Sequence, residues 1–78
     1  MINSAITTLN ELKEETTTPK NIKEKIQNII SILQNTEDET SIKKSKALEI
    51  LEQISNENNI QPFLRTQIWN VVSILETL

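Results

Sequence analysis

The residues of this chain that are best suited to chemistry are carboxylates. Glu11, Glu14 and Glu15 lie close together, and Glu49 and Glu52 are three positions apart. Paired carboxylates can act as acid and base or bind Mg²⁺ when they share a buried cleft. On helices, however, these residues fall outside the apolar stripes and near several lysines. We therefore expect them to form solvated helix faces, as charged side chains usually do.

Three residue types on which metal, thiol, imidazole and phosphate-loop sites usually depend are absent: the sequence contains no cysteine, histidine or glycine. Zinc and di-iron sites of the usual ligand types, thiol or imidazole catalysis, and glycine-rich phosphate loops therefore cannot be built. We predict a protein that is not an enzyme and holds no metal or cofactor; a metal enzyme using carboxylates alone is the remaining enzymatic alternative. The lack of cysteine also favours a cytoplasmic location.

Lysines cluster where two helices are predicted to begin: Lys20, Lys23 and Lys25, then Lys43, Lys44 and Lys46. A cation in the first turn opposes the helix dipole by a few tenths to about 1 kcal/mol, so another interaction should offset that cost. Nucleic-acid phosphates are one candidate, with contacts from Lys20, Lys23, Lys43, Lys44 and Lys46. In an antiparallel bundle these helix starts lie at opposite ends, and no aromatic residues interleave them for base stacking. With a net charge of −3, nucleic-acid binding is therefore the alternative and not the first prediction.

A second apolar surface is predicted from hydrophobic residues that lie off the main helical stripes: Ile32, Phe63, Trp69 and Ile74. Trp69 follows Ile68 directly, so it lies about 100° around the helix from its stripe. Two interpretations stay open for Trp69. It fills the core, as a large aromatic in a small chain usually does, or it is an anchor residue at a protein interface.

Apolar residues recur at helical spacing in four segments, which predicts four α-helices and no β-strand. The clearest stripe lies in residues 61–78 and consists of Leu64, Ile68, Val71, Val72, Leu75 and Leu78. The other helices are predicted at about residues 3–16, 19–34 and 41–56, separated by the segments TTTP, QNTEDETS and NENN. Thr18 is the expected N-cap of the second helix, with Pro19 as its first residue. We expect a core made of Leu9, Leu12, Ile26, Ile29, Leu33, Leu51, Ile54, Ile68, Val72 and Leu75.

The sequence repeats internally at an offset of 42 residues. NIISILQ begins at Asn28 and the similar NVVSILE begins at Asn70. We therefore predict one domain, residues 1–78, built from a hairpin at about 3–34 and a second at about 41–77. Two amphipathic hairpins are expected to close into an all-α, antiparallel four-helix bundle; a solenoid fragment is the alternative.

The repeat also places an acidic and a basic residue at each hairpin turn. Glu15 and Lys23 in the first hairpin correspond to Glu57 and Arg65 in the second. We expect each pair to form an ion pair across its turn, worth about 0 to 1 kcal/mol if exposed.

Several residues resemble those of a known family. They are Ile54, Ser55, Asn56, Arg65, Thr66, Ile68, Trp69, Asn70 and Ser73, together with TTTPKNIK at residues 16–23. In these residues the chain is similar to the archaeal uncharacterised protein family zero-one-four-seven. That resemblance implies a small all-helical bundle in the archaeal cytoplasm and brings no assigned activity with it.

The functional prediction is a non-enzymatic protein-interaction or assembly module, with self-association as one form of that role. No apolar run reaches the roughly 20 residues of a membrane-spanning helix. The N-terminal residues lack the pattern of a signal peptide. We therefore expect no membrane association. The partner predicted from the second apolar surface is another protein or a further copy of this chain in a homo-oligomer.

Overall fold

The computed structural model describes residues 2–78, which contain four helices and no β-strand. They are α1 (Ile2–Glu14), α2 (Lys20–Gln34), α3 (Thr40–Ser55) and α4 (Pro62–Glu76). The breaks between them fall where the sequence predicted them. Because the connections are only about five or six residues long, consecutive helices run antiparallel.

The four helices pack as a closed ring. Helix α1 contacts α2, α2 contacts α3, α3 contacts α4, and α4 returns to α1. The body measures 33 × 18 × 18 Å. In a solenoid the first helices of the two hairpins would stack side by side, yet α1 and α3 do not pack together in residues 2–78. The prediction of an all-α, antiparallel four-helix bundle is confirmed, and the solenoid alternative is wrong.

The core is aliphatic throughout. Nine of the ten predicted core residues are buried: Leu9, Leu12, Ile26, Ile29, Leu33, Leu51, Ile54, Ile68 and Leu75. The exception is Val72, which is only half-buried. Val71 is buried in its place, because Leu64, Ile68, Val71 and Leu75 keep the helical spacing and Val72 falls about 100° to one side.

Burial repeats at the same offset as the sequence. Ala5 and Ala47, Leu9 and Leu51, and Leu12 and Ile54 are buried pairs separated by 42 residues. The bounds of α2 and α4 also differ by 42 at both ends. A close superposition of one hairpin on the other stays a prediction that this pattern supports.

The turn between α1 and α2 differs from the prediction for Thr18. Pro19, not Thr18, occupies the N-cap position of α2. The Thr18 side chain is only 5% exposed, and its hydroxyl donates a hydrogen bond to the Leu12 carbonyl oxygen at 3.0 Å. The hydroxyl therefore caps the end of α1 and is not available to α2.

The turn between α3 and α4 depends on Arg65. Its guanidinium donates hydrogen bonds to the carbonyl oxygens of Ser55 at 2.6 Å and Glu57 at 3.1 Å. These oxygens lie at and just beyond the end of α3, where no further helical N–H reaches them. The expected ion pair between Arg65 and the Glu57 carboxylate is wrong, because that carboxylate pairs with Lys25 Nζ on α2 at 3.7 Å. In residues 2–78, Glu15 and Lys23 likewise form no ion pair with each other.

Candidate protein-interaction surface

Trp69 is the most exposed large hydrophobic side chain of residues 2–78, at 67%. It lies on α4, well away from the buried stripe of that helix. The interpretation that it fills the core is therefore wrong. The physical reason is that aliphatic side chains from all four helices already fill the interior, while helical geometry turns Trp69 outward.

A groove of about 490 Å³ runs between α3 and α4 beside Trp69. Its apolar lining comes from buried residues of both helices and from two half-buried ones, Leu48 and Val72. Trp69 lines it from α4. We call this groove and the Trp69 side chain the α3–α4 surface. Tryptophan is enriched among the residues that anchor protein interfaces, and such anchors lie in or beside apolar pockets.

The polar lining of the groove is acidic. Glu52 contributes from α3 and Glu76 from α4, together with the hydroxyl groups of Ser55 and Ser73. No lysine or arginine side chain of residues 2–78 lines it. At the Glu76 end, the Lys44 ammonium group donates to the Glu76 backbone oxygen at 3.4 Å. The α3–α4 surface therefore combines apolar and negatively charged groups.

Phe63, the second exposed aromatic, lies elsewhere. It is 53% exposed and lines a narrow crevice with Leu12, Thr17 and Thr18 at the α1–α2 turn. Phe63 and Trp69 are six residues apart on α4, so they point roughly 120° away from each other. The structure does not bring these two predicted residues into one surface.

Ile32 and Ile74 are less exposed than Phe63 and Trp69. Both are half-buried, and Ile74 packs against the core. Ile74 also lies on the flank of α4 that faces away from Trp69, since five residues turn a helix by about 140°. Of the four residues predicted for the second apolar surface, Trp69 is the one beside a groove large enough for a partner.

The lysines at the start of α3 have partners within the bundle. Lys43 Nζ lies 3.5 Å from the Leu33 carbonyl oxygen near the end of α2. Lys44 reaches the last carbonyl of α4, as described above, and Lys46 pairs with Asp38 at 3.2 Å. Antiparallel packing thus places the start of α3 beside the ends of its two neighbours, where cations are favourable.

Lys20 and Lys23 lie at the opposite end of the bundle, at the start of α2. In residues 2–78 neither forms a hydrogen bond or ion pair through its ammonium group. The lysines of the phosphate-binding alternative therefore lie at two opposite ends of the bundle. Those at the start of α3 already have intramolecular partners.

Carboxylates of α1 and of the residue that follows it line a shallow depression. Glu11, Glu14 and Glu15 contribute to it, with Thr7 and Asn10. In the described part of the chain, no group of three or more acidic residues is arranged to hold a metal ion. Glu52 stands apart from these carboxylates, in the groove between α3 and α4.

Sequence reasoning identified Trp69 but not the groove beside it. One signal was present: Val72, Ser73 and Glu76 follow Trp69 at i+3, i+4 and i+7, which places them on its side of α4. The contribution of α3 through Leu48, Glu52 and Ser55 had no such signal, because nothing local shows which helix packs next to α4.

Known proteins similar to this chain give a family and a fold. A family model described as "Uncharacterised protein family (UPF0147)" matches residues 1–78. A UPF0147 protein of Methanosarcina acetivorans is 32% identical over 78 residues, which are 100% of this chain and 80% of the relative. A UPF0147 protein of Sulfurisphaera tokodaii is 36% identical over 77 residues, 99% of this chain and 86% of the relative.

The fold is also found in a solved structure. The crystal structure of the unknown-function protein MMP1188 matches with a TM-score of 0.94 and 36% sequence identity. The match covers 99% of this chain and 88% of that one. In residues 2–78 no helix is long and apolar enough to cross a membrane.

Proposed function

Since the chain belongs to the uncharacterised protein family UPF0147, which brings no activity with it, we propose a function from its surface: a non-enzymatic protein-interaction module. It works in the cytoplasm of an archaeal cell and binds its partner through the α3–α4 surface. The observation that carries the proposal is the exposure of Trp69, the one tryptophan of the chain, beside an apolar groove.

Energetics support this role for Trp69. A small bundle has little surplus apolar side-chain area, and leaving a tryptophan in water forgoes the stabilisation that its burial would give. Tryptophan is also among the residues that most often dominate the binding energy of protein interfaces. A contact that buries Trp69 would recover that stabilisation in the complex.

The alternative, an accessory nucleic-acid-binding protein, is supported less well. It has Lys20 and Lys23 at one end of the bundle, whereas Lys43, Lys44 and Lys46 are engaged by carbonyl groups or Asp38 at the other. Binding by lysine neutralisation would weaken steeply between low and physiological salt, so the salt dependence of any retained nucleic acid distinguishes the two functions.

The test is site-specific photo-crosslinking from the groove. A photoreactive phenylalanine derivative replaces Ser73, which lies in the groove beside Trp69, and the protein is irradiated in its native cells. We expect a discrete cross-linked protein, or a cross-linked dimer of this chain. Light scattering over a range of protein concentrations measures self-association independently.

Matched variants make the result specific. Trp69→Ser should abolish the cross-link, and Phe63→Ser should preserve it, because both side chains are exposed but lie on different sides of α4. Both variants should melt close to the parent, since each changes an exposed residue. A cross-link that survives Trp69→Ser, or a monomer with no cross-linked partner, would contradict the proposal. Cross-linking to nucleic acid from position 20 would favour the alternative.

A further inference from the structure

We infer that the occupant of the α3–α4 surface is an amphipathic helix of another protein, with lysine or arginine residues flanking its apolar stripe. This inference rests on the proposed function and specifies the chemistry of the partner. Two properties of the groove lead to it: its shape, which follows two antiparallel helices, and the sign of its charges.

The groove has the length of a short helical contact. On α4 its lining extends from Ile68 to Glu76 and on α3 from Leu48 to Ser55, which corresponds to about 10–12 Å at 1.5 Å per residue. About two turns of a third helix fit along that length. Such a helix would bring two or three apolar side chains, at i, i+4 and i+7, onto the groove floor.

The acidic residues of the groove favour a partner helix that carries basic residues along its flanks. Glu52 on the α3 wall and Glu76 on the α4 wall are exposed, and neither carboxylate forms an ion pair within residues 2–78. Lys44 reaches only the backbone oxygen of Glu76. Arg65 lines an adjoining depression that shares Trp69 and Ser73 with the groove, and its guanidinium is held by the backbone carbonyls of Ser55 and Glu57. A helix with lysine or arginine on both flanks would therefore complement these walls, and acidic flanks would be repelled.

A second copy of this chain fits the groove poorly. A twofold contact pairs a surface with itself, so it would bring the acidic walls of two α3–α4 surfaces together in a chain of net charge −3. The apolar stripes of α1–α4 are already buried in the bundle and cannot serve as the inserted helix. The fitting occupant is thus a different protein.

Trp69 provides a built-in probe, because it is the only tryptophan and lies in the groove wall. Three synthetic helix-forming peptides of about 16 residues are titrated against the full chain while its tryptophan emission is recorded. The basic peptide carries leucines at i, i+4 and i+7 and lysines on both flanks. The acidic peptide keeps the leucines and replaces lysine by glutamate. The scrambled peptide has the basic composition with its leucines scattered around the helix.

We expect the basic peptide to shift the emission of Trp69 to shorter wavelength, saturably, as the indole leaves water. The acidic and scrambled peptides should bind at least about tenfold more weakly. The double variant Glu52→Gln/Glu76→Gln should lose about five- to tenfold in affinity for the basic peptide. The matched variant Glu11→Gln/Glu14→Gln removes the same charge from α1 and should bind like the parent.

Other results overturn the inference. Equal binding of the basic and scrambled peptides would show attraction by net charge alone, and equal binding of the basic and acidic peptides would show that the walls do not select charge. An absence of binding to the basic peptide would also refute it. The Ser73 cross-link decides the proposed function separately, so a Trp69-dependent cross-link with no peptide binding would reject the basic helix and retain the interaction module.

Discussion

At each hairpin turn, a single side chain donates hydrogen bonds to carbonyl oxygens near the end of the preceding helix, but the donor group differs between the two turns. The turns are equivalent by the repeat, and both bury one side chain, Thr18 in the first and Ile60 in the second. Thr18 supplies a hydroxyl to a carbonyl at the end of α1. Ile60 has no donor, and Arg65 binds the carbonyls at the end of α3. The second turn thus has no hydroxyl at the position equivalent to Thr18, and the longer, charged side chain of Arg65 is the donor there.

Thr18→Val should lower the free energy of unfolding by about 1 kcal/mol, the usual net worth of a hydrogen bond. Valine keeps the shape of threonine, so packing is retained and the hydroxyl is the group removed. The Leu12 oxygen keeps its bond from the Glu15 N–H, which holds the loss near this value. Urea unfolding followed by circular dichroism measures it.

Thr17→Val is the control for that experiment, because Thr17 is exposed and its hydroxyl makes only a long, 3.4 Å contact with Glu15. We expect a change below about 0.5 kcal/mol. Equal losses from the two substitutions would show that the buried bond of Thr18 is not special.

Arg65→Met should destabilise the protein by about 1–3 kcal/mol, since two charge-assisted hydrogen bonds at the end of α3 are lost together. Arg65→Lys should recover only part of this stability, because an ammonium group does not reproduce the fork that spans two oxygens. The comparison requires unfolding curves of both variants under one set of conditions.

Lys23→Met is the matched control for Arg65→Met, since Lys23 occupies the equivalent position 42 residues earlier and its ammonium group has no partner within residues 2–78. It should stay within about 0.5 kcal/mol of the parent. If Lys23→Met proves as damaging as Arg65→Met, the backbone contacts of Arg65 are not what stabilises the turn.

At the scale of helices, the lysines at the start of α3 show how one element compensates another. A cation in the first turn of α3 is unfavourable for α3 itself. The same ammonium groups lie beside the final carbonyls of α2 and α4, where a cation is favourable. Because neighbouring helices run antiparallel, one ammonium group can belong to the start of α3 and also lie beside the end of α2 or α4.

Lys43→Gln should therefore lower the free energy of unfolding by about 0.3–1 kcal/mol, through lost attraction to the end of α2. Lys20→Gln changes a cation at the start of α2 that has no such partner in the described chain. That substitution should leave stability unchanged or raise it by a few tenths of a kcal/mol. Thermal unfolding at low salt measures both, and a shift of the same sign and size for the two variants would contradict this account.

At the scale of the whole molecule, one aliphatic core holds all four helices together. Leu51→Ala or Ile68→Ala, each at a fully buried site, should lower the free energy of unfolding by about 2–5 kcal/mol. That is a large part of the roughly 5–15 kcal/mol that stabilises a typical domain. Chemical unfolding monitored at the helix signal gives the values.

Ile42→Ala is the control, because Ile42 lies on α3 like Leu51 but is 43% exposed. It should change stability by less than about 0.5 kcal/mol. A melting point for Leu51→Ala within a few degrees of the parent would show that the core is assigned wrongly at that position.

The sequence by itself determined the helices, their breaks, the repeat and nearly the whole core of this protein. These features follow from local rules. Apolar spacing at 3.6 residues per turn fixes which face of a helix is buried, and polar segments, with Pro19 in the first and Pro62 shortly after the third, mark where helices end. The side-chain period made Leu51 and Ile68 predictable as core residues without knowledge of their neighbours.

Only the tertiary structure decided what surrounds each residue outside those stripes. Helical spacing places Trp69, Val72 and Ile74 on different flanks of α4, but the packing of the other helices decided that Trp69 is exposed and that Val72 and Ile74 are half-buried. The tertiary structure also gave Arg65 backbone carbonyl groups as partners in place of the expected ion pair with Glu57. Lys43 likewise has a carbonyl group as its partner in place of an external phosphate. The physical reason is that a residue on the flank of a helix is buried or exposed according to which helix packs beside it. Which helix that is depends on the arrangement of all four helices, and the spacing of residues within one helix does not show it.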